Sequence, residues 1–143
     1  MKPVAILLAF SFLFFFGCLA PALRTTQVTL NDVQITAWVA DTQQARTTGL
    51  MGMQSIGEKE GMLFVYDRPG KYAFWMKDTI MSLDIIFVSS DMRIISIQRM
   101  EPCAQEPCEI YPPPSDIMYA IEVKGGFAER NGLETGQTVA IGS

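Results

Sequence analysis

The sequence predicts a mainly β fold, a compact antiparallel β-sandwich or barrel with one short inserted helix and a short C-terminal helical turn. Short apolar segments typical of strands outnumber segments typical of helices. Turn-forming residues, including Asp67-Arg68-Pro69-Gly70 and Ser89-Ser90-Asp91, separate the strand-like segments. These segments also lie too close together for repeated helical crossovers, which favours a mainly antiparallel arrangement over βαβ units.

A β-hairpin is the first predicted element. Residues 28–30 and 33–39 are strand-like and flank Asn31-Asp32. This spacing suits two strands joined by a tight turn.

A short helix is predicted after the hairpin. Asp41 fits its N-cap position, and Ala45, Leu50 and Met51 give the following segment one apolar face before Gly52. A polar loop over residues 57–60 then leads to the remaining strands.

Most of the rest of the chain is predicted to be strand. The predicted strands are residues 62–66, 72–76, 83–88, 94–100, 117–123 and 138–141. The proline-rich segment 111–114 predicts a rigid, extended loop. Residues 127–130 are predicted to form the C-terminal helical turn, which ends at Asn131-Gly132.

The N-terminal segment has the pattern of a secretory signal peptide. One basic residue, Lys2, precedes an apolar run over residues 4–16, and Ala20-Pro21-Ala22 is a suitable cleavage site. Two alternatives remain open. The segment extended through Leu23 just reaches the roughly 20 residues of a membrane anchor, and Cys18 is a candidate for lipidation.

The domain organisation follows from this segment. Residues 1–22 are predicted to be a signal peptide or N-terminal anchor, and residues 23–143 a single mainly β domain, long enough to bury one core. The protein is therefore expected to be exported, either periplasmic or secreted, with membrane contact only through residues 1–22 if they are uncleaved or lipidated.

Charge and composition argue against nucleic acid as a partner. The net charge is −4, and removal of Lys2 with the leader makes it −5. The chain has no basic run and no alternation of basic and aromatic residues, both of which are typical of nucleic-acid surfaces. The expected partner is an unknown small molecule or a protein of the cell envelope.

Cys103 and Cys108 predict a structural disulfide. They lie in the sequence CAQEPC, and in an oxidising compartment two cysteines so close together favour a bridge. A redox pair or a metal clip is the alternative. Redox centres favour two intervening residues rather than four, and no histidine exists to complete a zinc site. Neither a metal nor a cofactor is expected.

The missing histidine also excludes several kinds of catalysis. Ser-His-Asp and Cys-His arrangements and imidazole general bases all need this residue. Gly49 and Gly52 do not form a phosphate-binding loop, because the pattern and the following Lys-Ser/Thr are absent. An enzyme built on this chain would have to use carboxylates, Lys77, a tyrosine or a metal held by oxygen ligands.

An acid inside an apolar segment predicts the candidate site. Asp84 lies between Leu83 and Ile85, and burying a carboxylate is costly unless it is paired or hydrogen-bonded. Neighbouring polar residues of the segment 77–79 are expected beside it, with Arg46 or Glu122 arriving from elsewhere in the chain. The candidate ligand-binding residues are Arg46, Trp75, Lys77, Asp78, Thr79, Asp84 and Glu122.

A structural interpretation of the same residues remains open. Asp84 would then accept hydrogen bonds from backbone N–H groups of the connection 77–82 and fix that loop. Two interpretations of Phe74 and Trp75 also remain open, as residues that line a pocket or as core residues, and aromatic residues at strand spacing more often belong to the core.

Five ordered motifs resemble those of a known family. They are RTTGLMG at 46–52, GMLF at 61–64, FWMKDT at 74–79, LDIIF at 83–87 and IEVKGG at 121–126. Over residues 28–141 this set is similar to the exported family known as domain of unknown function 192. The resemblance implies a compact mainly β fold with a helix near Arg46, and it implies no activity.

Two positions depart from the pattern of that family. Met53 stands where the family commonly has a basic residue, and Asp78 stands where it usually has asparagine. If Met53 removes a charge from a ligand pocket, the ligand of this protein need not be that of its relatives.

The function predicted from the sequence is binding of a small ligand or partner at the cell envelope. A carboxylate-dependent hydrolase without histidine is the alternative, and it requires two acids facing one cleft. Methionine-based copper(I) binding is a lesser alternative, because thioethers are soft ligands and Met51 and Met53 form an M-x-M pair. Methionine also fills irregular gaps in cores.

Overall fold

The computed structural model describes residues 23–142. Their mainly β architecture confirms the predicted fold class. The elements in chain order are β1 (Thr25–Leu30), β2 (Val33–Ala40), α1 (Gln43–Thr48), β3 (Glu60–Gly70), β4 (Phe74–Trp75), β5 (Leu83–Val88), β6 (Ile94–Met100), β7 (Ile110–Tyr111), β8 (Ile117–Lys124), α2 (Phe127–Arg130) and β9 (Val139–Ile141).

Seven of these strands form one sheet that curls into a half-barrel. The strand order is β6-β5-β8-β3-β2-β1-β9, and β4 pairs with β7 in a separate two-stranded sheet. Neighbouring strands are antiparallel except β2 and β3, which are parallel. Parallel neighbours need a crossover connection. Residues 41–59, which include α1, provide it.

The predicted hairpin is confirmed at the start of the chain described. Leu30 pairs with Val33 next to the turn, and the pairing of β1 with β2 continues to Thr25 opposite Trp38. Asn31 takes a left-handed conformation with φ of 53°, which asparagine adopts more readily than most residues.

The start and the end of α1 differ from the prediction. Thr42, not Asp41, is the N-cap, because its hydroxyl oxygen accepts a hydrogen bond from the Ala45 N–H at 3.1 Å. The Asp41 carboxylate instead pairs with Arg24 at 2.9 Å. The helix ends at Gly49, whose φ of 49° is left-handed, so the apolar residues that follow lie beyond it.

The turn predicted at residues 67–70 is wrong. β3 continues through Gly70, and its pairing with β8 shifts between Val65 and Gly70. Such a bulge accommodates extra residues in one strand and redirects their side chains. The strand predicted at 72–76 is shorter, and only Phe74–Trp75 pairs with another strand.

Each face of the large sheet carries its own apolar core. One core contains Phe64, Phe74 and Phe87 together with Ala45 of α1. Phe64 and Phe74 meet edge to face with ring centroids 4.9 Å apart. The core on the other face includes the buried Phe127 of α2. The two helices therefore cover opposite faces of the sheet.

The methionines lie mainly in the first core. Met62, Met76 and Met100 are buried in the first core, and Met92 packs against the second. This distribution is typical of methionine as a filler of irregular gaps.

The predicted pairing of the cysteines is present in the connection between β6 and β7. The sulfur atoms of Cys103 and Cys108 are 2.10 Å apart, and their Cα atoms are 5.3 Å apart. The same connection contains a cis peptide bond between Glu106 and Pro107.

The predicted signal peptide or anchor falls on residues 1–22, outside the described residues. Between residues 23 and 142, no helix has both the length and the apolar character needed to cross a bilayer.

Candidate functional site

A cleft of about 690 Å³ opens on the face of the sheet covered by α1. Three parts of the chain form its walls. Helix α1 contributes Arg46, the bulged end of β3 contributes Tyr66 and Arg68, and β4 with the residues before it contributes Trp75 and Tyr72. The bulge in β3 is what brings the segment 66–68 to the cleft.

A small inner cavity of about 30 Å³ adjoins this cleft. Arg46 and Trp75 line both spaces, so the cavity forms the inner end of the cleft. Glu122 and Thr79 also line the cavity. Glu122 lies in the middle of β8, paired on one side with Met62 and on the other with Ile85.

Glu122 is a buried acid without a protein partner. It is 4% exposed, although it lies between strands whose side chains are apolar. Within residues 23–142 no group donates a hydrogen bond to its carboxyl, and burial alone raises its pKa to about 8. The carboxyl is therefore mainly protonated at neutral pH, when it can both donate and accept a hydrogen bond.

Arg46 is held in place by the backbone. Its Nη1 donates to the carbonyl oxygens of Val65 at 2.7 Å and Asp41 at 2.8 Å. The guanidinium also lies over the Tyr66 ring, 5.2 Å from the centroid. Within the described part of the chain, the other N–H groups of the guanidinium make no hydrogen bond, which leaves them for a ligand.

A pair of tyrosines supports the wall beside Arg46. The Tyr66 and Tyr72 rings stack with centroids 3.6 Å apart and an angle of 2° between their planes. The Tyr72 hydroxyl donates to the carbonyl oxygen of Arg68 at 3.0 Å, which ties the bulge to the ring. Burial raises the pKa of Tyr66, so its phenol stays protonated.

Trp75 is the most exposed aromatic residue of the cleft wall. It is 43% exposed, and Lys77 lies over the ring with Nζ 5.6 Å from the centroid. Lys77 also forms an ion pair with Glu106 at 3.5 Å. Lys77 itself does not line the cleft or the inner cavity.

Asp78 and Thr79 shape the turn after β4. Asp78 is exposed and left-handed, with φ of 54°, and its carbonyl oxygen accepts from the Gly52 N–H at 2.9 Å. Asparagine and aspartate are the non-glycine residues most tolerant of this conformation. The Thr79 hydroxyl donates to the carbonyl oxygen of Lys77 at 3.3 Å.

Asp84 lies on the other face of the sheet from the cleft. It is 2% exposed and accepts hydrogen bonds from the N–H groups of Gly126 at 3.1 Å and Ala128 at 2.9 Å. Arg99 Nε donates to it at 2.5 Å. The structural interpretation expected backbone N–H groups of residues 77–82 to donate to Asp84. The donors are instead N–H groups at the start of α2, so Asp84 links β5 to that helix.

The sequence candidates divide into three groups. The structure brings four of them together around the inner cavity: Arg46, Trp75, Thr79 and Glu122. Lys77 and Asp78 lie near this group but outside its lining. Asp84 is separated from it by the sheet.

Tyr66, Asp67, Arg68 and Tyr72 also line the cleft but were not among the candidates. Residues 67–70 have the composition of a turn, so the sequence did not indicate that Asp67 and Arg68 line a cleft. Tyr66 and Tyr72 lie on either side of this polar segment. Two flanking aromatic residues could have indicated that the segment is part of a packed wall.

A metal centre is not assembled from the usual ligands. Between residues 23 and 142, no three His, Cys, Asp or Glu side chains cluster in a way that could hold a metal ion.

The described residues have a mainly β fold with a cleft on the face of the sheet covered by α1. The family model of domain of unknown function 192, described as "Uncharacterized ACR", matches residues 26–141. The chain belongs to this family. No curated protein matches it.

Two solved structures share the fold. One, from Sinorhizobium meliloti 1021 and described as a candidate transcription regulator, is 25% identical with a TM-score of 0.79, over 85% of this chain and 97% of the other. A protein of unknown function from Novosphingobium aromaticivorans DSM 12444 is 30% identical with a TM-score of 0.72, over 82% of this chain and 84% of the other.

Proposed function

We propose that this protein is an extracytoplasmic domain of the cell envelope that binds a small molecule in the cleft. The observation that carries the proposal is Glu122, a buried acid without a partner at the inner end of an open cleft. The cleft volume of about 690 Å³ lies in the range typical of small-molecule sites.

Glu122 is costly to the fold, which supports a functional role. An apolar side chain at the centre of β8 would match its neighbours Met62 and Ile85. A buried polar group without a hydrogen bond costs free energy. Proteins retain such residues mainly where function requires them.

The cleft walls support binding of a molecule that is partly apolar and partly polar. Trp75 and Phe74 supply aromatic surface, and Arg46 supplies N–H groups in a fixed position. Preorganised polar groups within an apolar wall are typical of ligand sites.

The compartment is proposed from the sequence. The signal-peptide pattern of residues 1–22 and the pair Cys103 and Cys108 both favour an oxidising environment.

A carboxylate-dependent hydrolase is the second candidate. The raised pKa of Glu122 suits a general acid at neutral pH. The acid pair expected from the sequence is not assembled, because Asp84 lies across the sheet and Asp78 lies outside the lining. Asp67 on the cleft wall is the carboxylate that remains for the second role.

Three other roles have weaker support. Copper binding is disfavoured because Met62, Met76 and Met100 are buried core side chains. Among the methionines of the described residues, Met51 alone lies on the cavity lining. The acidic net charge of −4 disfavours nucleic acid. A protein partner would have to insert a side chain into the cleft to use Glu122.

Ligand capture tests the proposal. The purified protein is incubated with the small-molecule fraction of cell envelopes, washed, denatured, and its released compounds are identified by mass spectrometry. Wild type and Asp116→Asn, a substitution at an exposed site outside the cleft lining, are expected to capture the compound, and Glu122→Leu is not. No enriched compound, or equal capture by Glu122→Leu, would contradict the binding function.

A further inference from the structure

We infer that the cleft binds a neutral or anionic polyhydroxylated ring compound of the saccharide class, with one ligand hydroxyl against Glu122 and one face of the ring against Trp75. This inference rests on the proposed binding function and names the ligand class for the same site. Four features support it: the size of the inner cavity, the protonation of Glu122, the charge of the walls and the exposure of Trp75.

The size of the inner cavity limits what can enter it. Its volume of about 30 Å³ is roughly the share of one water molecule in the liquid. A small polar group such as a hydroxyl fits this space, whereas a sugar ring does not. The ring of the ligand must therefore remain in the larger cleft, beside Trp75.

The chemistry of the cavity favours a hydroxyl group over an ammonium group. Glu122 and Arg46 are the ionisable residues among those that line it. Burial keeps Glu122 mainly protonated at neutral pH, since it raises the pKa to about 8. A neutral carboxyl and a hydroxyl each donate and accept, so they are complementary. Arg46 remains charged and repels a cation.

The charge of the outer cleft points the same way. Arg46 and Arg68 line it against a single acid, Asp67. A positive excess in a cleft favours neutral or anionic ligands over cations.

Trp75 provides a surface for the ring. It is exposed at the junction of the cleft and the inner cavity, where Phe74 also lies. Because Lys77 lies over one face of the indole, the ligand would take the other face. The indole ring is a large, rigid apolar surface, which suits the C–H face of a saccharide ring. A ring on Trp75 would leave one edge hydroxyl directed toward the inner cavity.

Titrations with three related sugars test the ligand class. The probes are D-glucose, D-glucuronate and D-glucosamine at millimolar concentration, and the readout is the indole ¹H–¹⁵N resonance of Trp75 in the full chain. Glucose and glucuronate are expected to shift this resonance in a saturable way, and glucosamine to bind at least about tenfold more weakly. Tighter binding of glucosamine, or no response to any of the three, would overturn the inference.

Two variants of Glu122 test the role of the carboxyl. Glu122→Gln keeps one donor and one acceptor, so its affinity for glucuronate is expected to stay within about threefold of wild type. Glu122→Leu keeps neither and is expected to lose at least about tenfold. Equal affinities of Glu122→Leu and wild type, or loss of binding in Glu122→Gln alone, would contradict hydroxyl recognition.

A pH series separates Glu122 from its charged neighbours. Wild-type affinity for D-glucuronate is expected to fall above about pH 8, because the ionised Glu122 carboxylate repels an anionic ligand, whereas the affinity of Glu122→Gln stays constant. Arg46 of α1 and Tyr66 of β3 are the charged or titratable groups nearest to Glu122. The outer cleft is also lined by Asp67, Arg68 and Tyr72. Burial raises the pKa of Tyr66 further away from this range. Equal pH profiles for the two proteins would contradict the inference.

The outcomes distinguish this inference from the proposed function. If the sugars fail but envelope compounds are captured in a Glu122-dependent way, the ligand class is wrong and the binding function stands. If neither sugars nor envelope compounds bind, both are wrong.

Discussion

Two carboxylates are buried in the sheet, Asp84 on β5 and Glu122 on β8. Asp84 accepts two backbone N–H groups and the Arg99 guanidinium, so its charge is balanced by α2 and by β6. Glu122 has no such partners within residues 23–142 and faces a cavity. Burial alone therefore does not identify a site, and what distinguishes Glu122 is a missing partner beside a cavity.

Replacement of Asp84 by asparagine is expected to destabilise the fold by about 1–3 kcal/mol. The amide cannot accept from both backbone N–H groups and also pair with the charge of Arg99. Urea unfolding measures the change, with Asp116→Asn as an exposed control. A stability equal to that of the control would contradict the structural role of Asp84.

Glu122 is expected to make stability fall as pH rises. The unfolded acid ionises near its ordinary pKa of 4.5, while the folded acid stays protonated up to about 8. Between these values the folded state binds more protons than the unfolded state, so the free energy of unfolding decreases with pH, by up to about 1.4 kcal/mol per unit.

Glu122→Gln isolates this contribution because glutamine does not titrate. Its free energy of unfolding minus that of wild type is expected to grow from pH 5 to pH 8 and then level off. Denaturant unfolding at several pH values measures the difference. A difference that does not change with pH would show that Glu122 ionises normally in the folded protein.

At the scale of the elements, the close approach of β3 and β8 sets the position of Glu122. Gly61 on β3 lies so near to β8 that a Cβ atom there would be 2.5 Å from the Glu122 carbonyl oxygen. That distance is too short for a side chain, so the two strands would have to move apart. Glycine at the start of GMLF is thus a packing requirement.

Gly61→Ala is expected to destabilise the protein by about 1–3 kcal/mol. Gly57→Ala is the matched control, because its Cβ would meet only the Glu60 side chain, which is exposed and can move. Urea unfolding of both variants gives the comparison. Equal stabilities would mean that the approach of β3 to β8 is looser than described.

At the scale of the whole molecule, the sequence predicted most strands because apolar runs and turn residues are local features. The strands β5 and β6 have the predicted bounds. The parallel pair β2 and β3 was missed, since pairing across residues 41–59 depends on distant contacts. The turn at 67–70 was wrongly predicted because its residues favour turns locally, whereas pairing with β8 holds them in a bulged strand.

The candidate site shows the same division between local and distant information. Asp84 and Glu122 have the same local appearance, an acid between apolar residues. Their difference depends on which groups the other elements bring to each face: α2 supplies donors to Asp84, and α1 with β4 leaves a cavity beside Glu122. No pattern within a single strand contains that information.

The most direct test of the account is the thermal melting of wild type and Glu122→Leu, each with and without the compound captured from envelopes. Without the compound, Glu122→Leu is expected to melt at the higher temperature, because an apolar side chain suits its neighbours on β8. The compound is expected to raise the melting temperature of wild type alone, since ligand stabilises only the state that binds it. A lower melting temperature for Glu122→Leu, together with equal stabilisation of both proteins, would contradict a binding role for Glu122.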